Sequence, residues 1–171
     1  MKGNNFMKKI LSILMLTLLL ITLICACKSK ADKRIYTIPE IPYNVTFCEG
    51  DKKLSGVFYF VSPQEMALTL TYPEEAKDYV IKTENGQLSL NFDGVSCSLE
   101  SLKKLFGSAK GIETLFEIFS SFDENQTFTK SHQKITYPLG EAVISFDESG
   151  KLVSVRAGVY DFQFTTKGET T

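Results

Sequence analysis

Three groups of residues carry side chains of the types that enzymes use for acid and base catalysis. His132 is the only histidine of the 171 residues, and its neighbours near the start of a predicted strand are polar. Glu74-Glu75 and Asp123-Glu124 are carboxylate pairs in turn-like stretches. Catalysis by two carboxylates needs groups that face each other across a cleft, and adjacency in sequence does not provide that geometry. We expect these side chains to be solvated and the chain to be no enzyme.

The sequence contains none of the short motifs that bind phosphates or metals. We find no glycine-rich phosphate loop, no metal-ligand spacing and no nucleophile elbow, so no cofactor and no metal is expected. The 19 Lys and Arg are balanced by 20 Asp and Glu. A protein that neutralises a phosphate backbone needs a basic excess, so no nucleic-acid partner is expected either.

The N-terminus has the pattern of an export signal. Lys2, Lys8 and Lys9 precede an uncharged, mostly apolar run over residues 10–25, which is a positive segment followed by a hydrophobic one. The run is shorter than the roughly 18 to 20 apolar residues of a membrane-spanning helix, which favours a processed signal over a permanent span.

The end of this run carries a more specific pattern. Leu23-Ile24-Cys25-Ala26-Cys27 resembles the lipobox of bacterial lipoproteins, with an aliphatic residue three before the last cysteine and a small residue directly before it. The resemblance implies that residues 1–26 are a lipoprotein signal peptide and that Cys27 becomes the acylated first residue. Two acyl chains give stable membrane attachment, at about 0.8 kcal/mol per buried methylene. The expected location is the extracytoplasmic face of a cell membrane, reached through the lipid anchor.

The segment after Cys27 is charged and then contains two prolines. Lys28 to Arg34 shows no apolar period, and Pro39 and Pro42 stiffen the chain at the entry to the domain. We therefore expect the lipidated cysteine and a tether over residues 27–43, and one folded domain over residues 44–171.

The domain is predicted to consist of strands, one helical insert and strands again. Apolar residues alternate over residues 54–61, 66–72, 79–82 and 88–92, and strands are predicted again over 126–130, 134–137, 142–147, 152–157 and 159–165. Asn85-Gly86 predicts a hairpin turn, because both residues tolerate positive φ. Over residues 98–122 the apolar residues recur every three or four positions, which predicts a helical segment with one apolar face. Gly107 and Gly111 are expected to break this segment into two helices or to kink it.

A sheet with one apolar face must be covered, and only one helical segment is available to cover it. The predicted fold class is α+β: a curved antiparallel sheet, an unclosed β-barrel, with the helical insert covering the concave face.

This order of features resembles the LolA/LolB-like superfamily of bacterial lipoprotein-localisation factors and related lipid-anchored proteins. The resemblance spans residues 43–166 and is carried by four segments: Gly56-Val57-Phe58-Tyr59-Phe60-Val61-Ser62-Pro63, Met66-Ala67-Leu68-Thr69-Leu70, Gly86-Gln87-Leu88-Ser89-Leu90 and Phe146-Asp147-Glu148-Ser149-Gly150-Lys151-Leu152. It implies an unclosed barrel with helices as a lid. The chain departs from the soluble carriers in having no long helix before the first strand, and it resembles the anchored members more closely.

The sequence supports two functional hypotheses. In the first, the concave face and the lid bind a lipid, an acyl chain or another apolar ligand through some of Phe58, Phe60, Met66, Leu68, Leu70, Leu88, Leu90, Phe92, Phe116 and Phe119. The same residues would also be chosen simply to pack the lid onto the sheet. In the second hypothesis, the chain is an adaptor with a filled core that binds another envelope protein, for example through a sheet edge.

Cys48 and Cys97 remain after Cys25 is removed and Cys27 is acylated. An oxidising location permits a Cys48–Cys97 disulfide. The alternative is two half-buried small apolar side chains on neighbouring strands, and the sequence leaves both open.

Overall fold

The structure, a computed structural model, describes residue 15 and residues 35–39, 42–84, 87–97, 100–123 and 126–166. The chain divides into two compact units, residues 1–33 and 34–171. Met15, which is helical, is the only described residue of the first unit. Cys27, most of the expected tether and the Asn85-Gly86 turn lie outside the described residues.

The second unit is mostly antiparallel sheet, as predicted. Its strands are β1 (Tyr36–Thr37), β2 (Pro42–Glu49), β3 (Lys52–Ser62), β4 (Glu65–Tyr72), β5 (Val80–Glu84), β6 (Gln87–Phe92), β7 (Val95–Cys97), β8 (Thr127–Phe128), β9 (His132–Tyr137), β10 (Gly140–Phe146), β11 (Leu152–Ala157) and β12 (Tyr160–Thr166). Ten of them form one unclosed sheet in the order β7-β6-β5-β4-β3-β2-β12-β11-β10-β9, while β1 and β8 form a separate pair.

Ordered structure begins earlier in the chain than the expected domain boundary at residue 44. Strand β2 starts at Pro42, which is tolerated because the first residue of a strand can lack a ladder donor. Tyr43 is fully buried, and Tyr36 of β1 stacks on Phe146 with 5.2 Å between the ring centroids. Part of the segment that we expected to be tether therefore belongs to the folded domain.

The strand predicted over residues 126–130 is much shorter than expected. Only Thr127 and Phe128 are in a strand, and they pair with β1 instead of joining the large sheet. Strand β7 was not predicted, and it forms one edge of the large sheet.

The helical segment consists of two helices, α1 (Glu100–Phe106) and α2 (Lys110–Ser120). Gly107 separates them with a φ of +79°, a conformation that glycine adopts without strain. Gly111, the other predicted break, lies inside α2 and is buried. A Cβ atom at this position would contact the Glu49 carboxylate and would lie 3.0 Å from Tyr160 Cε1. Gly111 therefore permits close approach of the helix to the sheet.

The apolar face of α2 packs on the central strands. Phe116 and Phe119 contact Phe58 of β3, at 5.9 and 4.8 Å between ring centroids. Because β2 pairs with β12, strands from both ends of the domain lie beside each other beneath this helix. The buried apolar side chains of strands and helices form one continuous core.

Candidate functional site

Most of the side chains predicted to line a ligand cavity lie together in the buried core. Eight of them are buried: Phe58, Phe60, Met66, Leu68, Leu70, Leu90, Phe116 and Phe119. Leu88 is half-buried, and Phe92 is exposed and stacks on Tyr79 with 4.5 Å between the ring centroids. The strand residues were chosen because apolar and polar residues alternate along the strands. The buried ones among them lie on the inward face of the sheet, as this alternation predicted.

The aromatic rings of this group contact one another closely. Phe119 lies 4.8 Å from Phe58, 5.3 Å from Phe60, 5.2 Å from Phe122 and 6.0 Å from Phe164, measured between ring centroids. Aromatic pairs in packed interiors lie about 4.5 to 7 Å apart. These side chains therefore pack against each other beneath α2.

A cleft of about 640 Å³ lies at one end of this core, and we call it the end cleft. It is lined by Thr37, Ile38, Pro39, Phe60, Val61, Ser62, Pro63, Phe122, Asp123, Gln126 and Thr127. Of the predicted ligand residues, Phe60 alone lines it. Phe60 and Phe122 connect the cleft to the ring cluster, because each ring also contacts Phe119.

Two local structures hold the walls of the end cleft. The Ser62 hydroxyl accepts hydrogen bonds from the backbone N–H groups of Gln64 at 3.3 Å and Glu65 at 3.1 Å, which closes the turn between β3 and β4. On the other side, Thr37 pairs with Thr127 in the small β1–β8 sheet. The cleft thus lies between a strand turn and the segment through which the chain enters the domain.

A second cleft of about 330 Å³, the side cleft, lies along α2. It is lined by Pro63, Gln64, Thr83, Leu88, Glu113, Phe116, Glu117 and Ser120. Burial, and secondarily the neighbouring carboxylate of Glu113, raises the pKa of Glu117 above its ordinary value. Among the described residues the buried Glu117 Oε2 atom has no hydrogen-bond partner, although the Glu117 side chain as a whole is half-buried.

A buried carboxylate on β2 positions the start of α2. Glu49 is only 2% exposed and accepts hydrogen bonds from the Gly111 N–H at 2.6 Å and the Tyr160 hydroxyl at 3.3 Å. The N-cap residue Ala109 offers no side-chain acceptor, so Glu49 supplies from the sheet what a capping side chain normally supplies locally. Burial and the Glu49 carboxylate raise the pKa of Tyr160.

The polar residues considered for catalysis do not converge. His132 is exposed, with Nδ1 3.2 Å from the Ser131 hydroxyl. Glu74 forms an exposed ion pair with Lys77 at 3.4 Å, Glu75 is exposed, and Asp123 lies at the end cleft. Glu124 lies outside the described residues. No group of three or more His, Cys, Asp or Glu among the described residues is arranged to hold a metal ion.

Cys48 and Cys97 are free thiols in the structure. Cys48 lies on β2 and Cys97 on β7, and four strands lie between β2 and β7 in the sheet. The disulfide is therefore not formed, and the alternative of neighbouring strands is wrong as well. The cause is the strand order, because the consecutive hairpins from β3 to β6 separate the two cysteines.

Several side chains at these sites were not predicted from the sequence. Ile38 and Pro39 line the end cleft although they fall in the expected tether. Glu113 and Glu117 were detectable, since residues four apart share one face of a helix. Glu49 and its partner Gly111 are 62 positions apart, and no local pattern connects them.

Among the described residues, no helix has the length and hydropathy needed to cross a membrane. Comparison of the chain with protein-family models, with curated proteins and with solved structures found no match.

Proposed function

We propose that this chain is a lipid-anchored bacterial envelope protein that binds a hydrophobic ligand, a lipid or an acyl chain, and is not an enzyme. The proposal includes a LolA/LolB-like half-barrel whose helical insert covers the concave face. The observation that carries it is the end cleft, whose volume of about 640 Å³ falls in the range of about 300 to 1,000 Å³ typical of small-ligand sites.

The end cleft suits an apolar chain better than the interior does. The interior positions are already occupied by mutually packed rings, whereas Phe60, Phe122 and Ile38 present apolar surface at the cleft. Each methylene removed from water contributes about 0.8 kcal/mol. A ligand can therefore gain affinity here without unpacking the core.

Ligand binding can be tested on residues 34–171, the compact unit that contains every described core residue. The domain is purified without detergent and weighed by native mass spectrometry before and after denaturation. Val61→Glu places a charge in the cleft wall at a side chain that is 46% exposed, and Val159→Glu makes the same change at a turn position that is 91% exposed. We expect a lipid adduct that Val61→Glu removes and Val159→Glu retains. A domain without adduct that also fails to bind added palmitate would contradict the proposal.

The anchor is tested separately on the full chain. Cys27→Ala removes the thiol that acylation requires, so the precursor should remain unprocessed and lose its acyl mass. Unchanged processing and lipidation in this variant would refute the anchoring proposal.

One observation favours a second function, that of a membrane-tethered adaptor. Phe92 is 41% exposed and Val95 is 64% exposed, next to each other in the pairing of β6 with the edge strand β7. Sheet edges accept strands from partner proteins. An adaptor would show no lipid adduct and would crosslink on intact membranes to a protein partner, and Val95→Lys would abolish that crosslink.

A further inference from the structure

The lining of the end cleft has an apolar part and an uncharged polar part. Ile38, Phe60 and Phe122 belong to the apolar part. Four side chains of the lining are polar without charge: Thr37, Ser62, Gln126 and Thr127. Because an acyl chain is driven out of water, the chain of a ligand belongs against the apolar part. Its polar end is then left to contact the uncharged polar side chains.

No basic side chain lines the end cleft among the described residues. Asp123 is the one ionisable side chain in that part of the lining, and it is exposed. The lining comes from three stretches of the chain, 35–51, 54–76 and 111–129, and none of them contains a Lys, Arg or His. An anionic headgroup that leaves water without a cationic partner loses its hydration without compensation. The lining therefore disfavours a carboxylate or a phosphate.

A positively charged headgroup also gains little in this cleft. The carboxylate available to it in the described lining is that of Asp123, which is exposed to solvent. Ion pairs between exposed groups contribute little, because water and salt screen them. The ionisable part of the lining is therefore a poor basis for recognising either sign of charge.

Hydroxyl groups of a ligand find suitable partners in the polar part of the lining. The Ser62 hydroxyl accepts hydrogen bonds from two backbone N–H groups, those of Gln64 and Glu65. A hydroxyl also has one proton of its own, which Ser62 can donate to an ester or hydroxyl oxygen. Thr37 and Thr127 are exposed, and each of their hydroxyls can donate one hydrogen bond and accept others.

We propose, on the basis of the function proposed above, that the ligand of the end cleft is an acyl chain with an uncharged, hydroxyl-bearing headgroup, such as a glycerol ester. The acyl chain would lie against Phe60 and Phe122, and the headgroup would form hydrogen bonds with Thr37, Ser62 and Thr127. A free fatty acid such as palmitate is then a weaker ligand than its glycerol ester.

The test is photo-crosslinking of the full chain in phosphatidylcholine nanodiscs at pH 7.5. Three probes carry the same diazirine-bearing C16 chain and differ in the headgroup: a monoacylglycerol, an alkylsulfonate and a primary alkylammonium. Labelled peptides are identified by mass spectrometry, and labelling of residues 35–39 and 122–127 is divided by the total labelling of the chain. We expect the monoacylglycerol to label these residues at least about tenfold more than either charged probe, because it alone exchanges its hydrogen bonds with water for hydrogen bonds with the lining.

The outcomes separate this inference from the function on which it rests. Equal or stronger labelling of the cleft by a charged probe would overturn the headgroup assignment and leave ligand binding in place. Labelling of the cleft by none of the three probes would contradict ligand binding itself, and the headgroup assignment with it.

A matched pair of variants tests the role of charge in the lining. Asp123→Lys places a cation in the cleft and keeps the backbone N–H that donates to Gln126 Oε1 at 3.3 Å. It should raise labelling by the alkylsulfonate about tenfold, since an ionic hydrogen bond becomes available to that headgroup. Glu75→Lys makes the same charge change at an exposed residue outside the cleft and should leave the labelling unchanged. No rise with Asp123→Lys, or an equal rise with Glu75→Lys, would overturn the assignment.

Discussion

Replacing Gly111 with alanine tests how Glu49 holds helix α2 on the sheet. In an isolated helix this change is favourable by about 0.8 to 1.0 kcal/mol, because glycine is a poor helix former. In this domain the new Cβ atom would contact the Glu49 carboxylate and would lie 3.0 Å from Tyr160 Cε1 and 3.1 Å from Phe47 Cε2. The carboxylate is only 2% exposed, so it cannot move aside into solvent.

The size of the effect follows from the contact that is lost. Displacing the carboxylate breaks its 2.6 Å hydrogen bond with the Gly111 N–H, and hydrogen bonds to charged groups contribute about 1.5 to 3 kcal/mol. Moving the two rings adds about 0.5 to 1.5 kcal/mol. After subtracting the helix-propensity gain we expect a net loss of about 2 kcal/mol in the free energy of unfolding, which lowers the Tm by roughly 6 °C in a domain of this size.

The assay is urea and thermal unfolding of residues 34–171, followed by circular dichroism, in a double-mutant cycle with Glu49→Ala. Without the Glu49 carboxylate, Gly111→Ala should cost less than about 0.5 kcal/mol, since the broken hydrogen bond no longer exists to lose. The reasoning is refuted if Gly111→Ala stabilises the unmodified domain, as helix propensity alone predicts, or if it destabilises both backgrounds equally.

Three further changes are expected to alter stability in urea unfolding. Gly56→Ala should destabilise by about 2 to 3 kcal/mol, because its Cβ would lie 2.6 Å from the backbone carbonyl oxygen of Thr69, which cannot rotate away. Glu117→Gln should stabilise the fold by about 0.2 to 0.5 kcal/mol at pH 7, because it removes the repulsion between Glu117 and Glu113. Burial, and secondarily Glu113, raises the pKa of Glu117 in the folded state. The stabilisation by Glu117→Gln should therefore vanish below the ordinary glutamate pKa, where Glu117 is protonated in both the folded and the unfolded state. Asp147→Ala should destabilise the fold by about 1 kcal/mol at pH 7, because the Asp147 carboxylate accepts two backbone hydrogen bonds and one from the Ser149 hydroxyl. These hydrogen bonds lower the pKa of Asp147 in the folded state. The destabilisation should therefore persist above the ordinary aspartate pKa and disappear as the pH falls through the lowered pKa of the folded state. A pH-independent effect at either carboxylate would contradict the assignment of its role.

Much of the fold was predictable from side-chain periodicity. The strands over residues 54–61 and 66–72 were predicted from alternation, and the structure has them as β3 and β4. The helical segment was predicted from apolar residues that recur every three or four positions, and Gly107 separates its two helices as expected. Such patterns are detectable because each strand or helix must bury one face, which imposes a period on its own residues.

Positions whose structure depends on distant partners were not predictable in this way. Strand β2 carries a clear burial alternation but begins at a proline, and it pairs with β12 at the far end of the chain. Residues 127–128 were predicted to be part of a strand, but that strand pairs with β1 and not with the large sheet. Pairing between remote strands is a property of register and chain path, which local composition does not encode.

The sequence by itself determined most of the side chains that face inward, where the helical segment lies, and that Cys27 stands in a lipobox-like context. Only the tertiary structure decided that the inward rings fill a core, with a cleft at its end bordered by Phe60 and Phe122. It also decided that Glu49 meets Gly111 and that one buried oxygen of Glu117 has no hydrogen-bond partner in the part of the chain that the structure describes. The physical reason is that burial of an apolar face follows from composition along one element, whereas a cavity or a satisfied polar group depends on how separate elements meet.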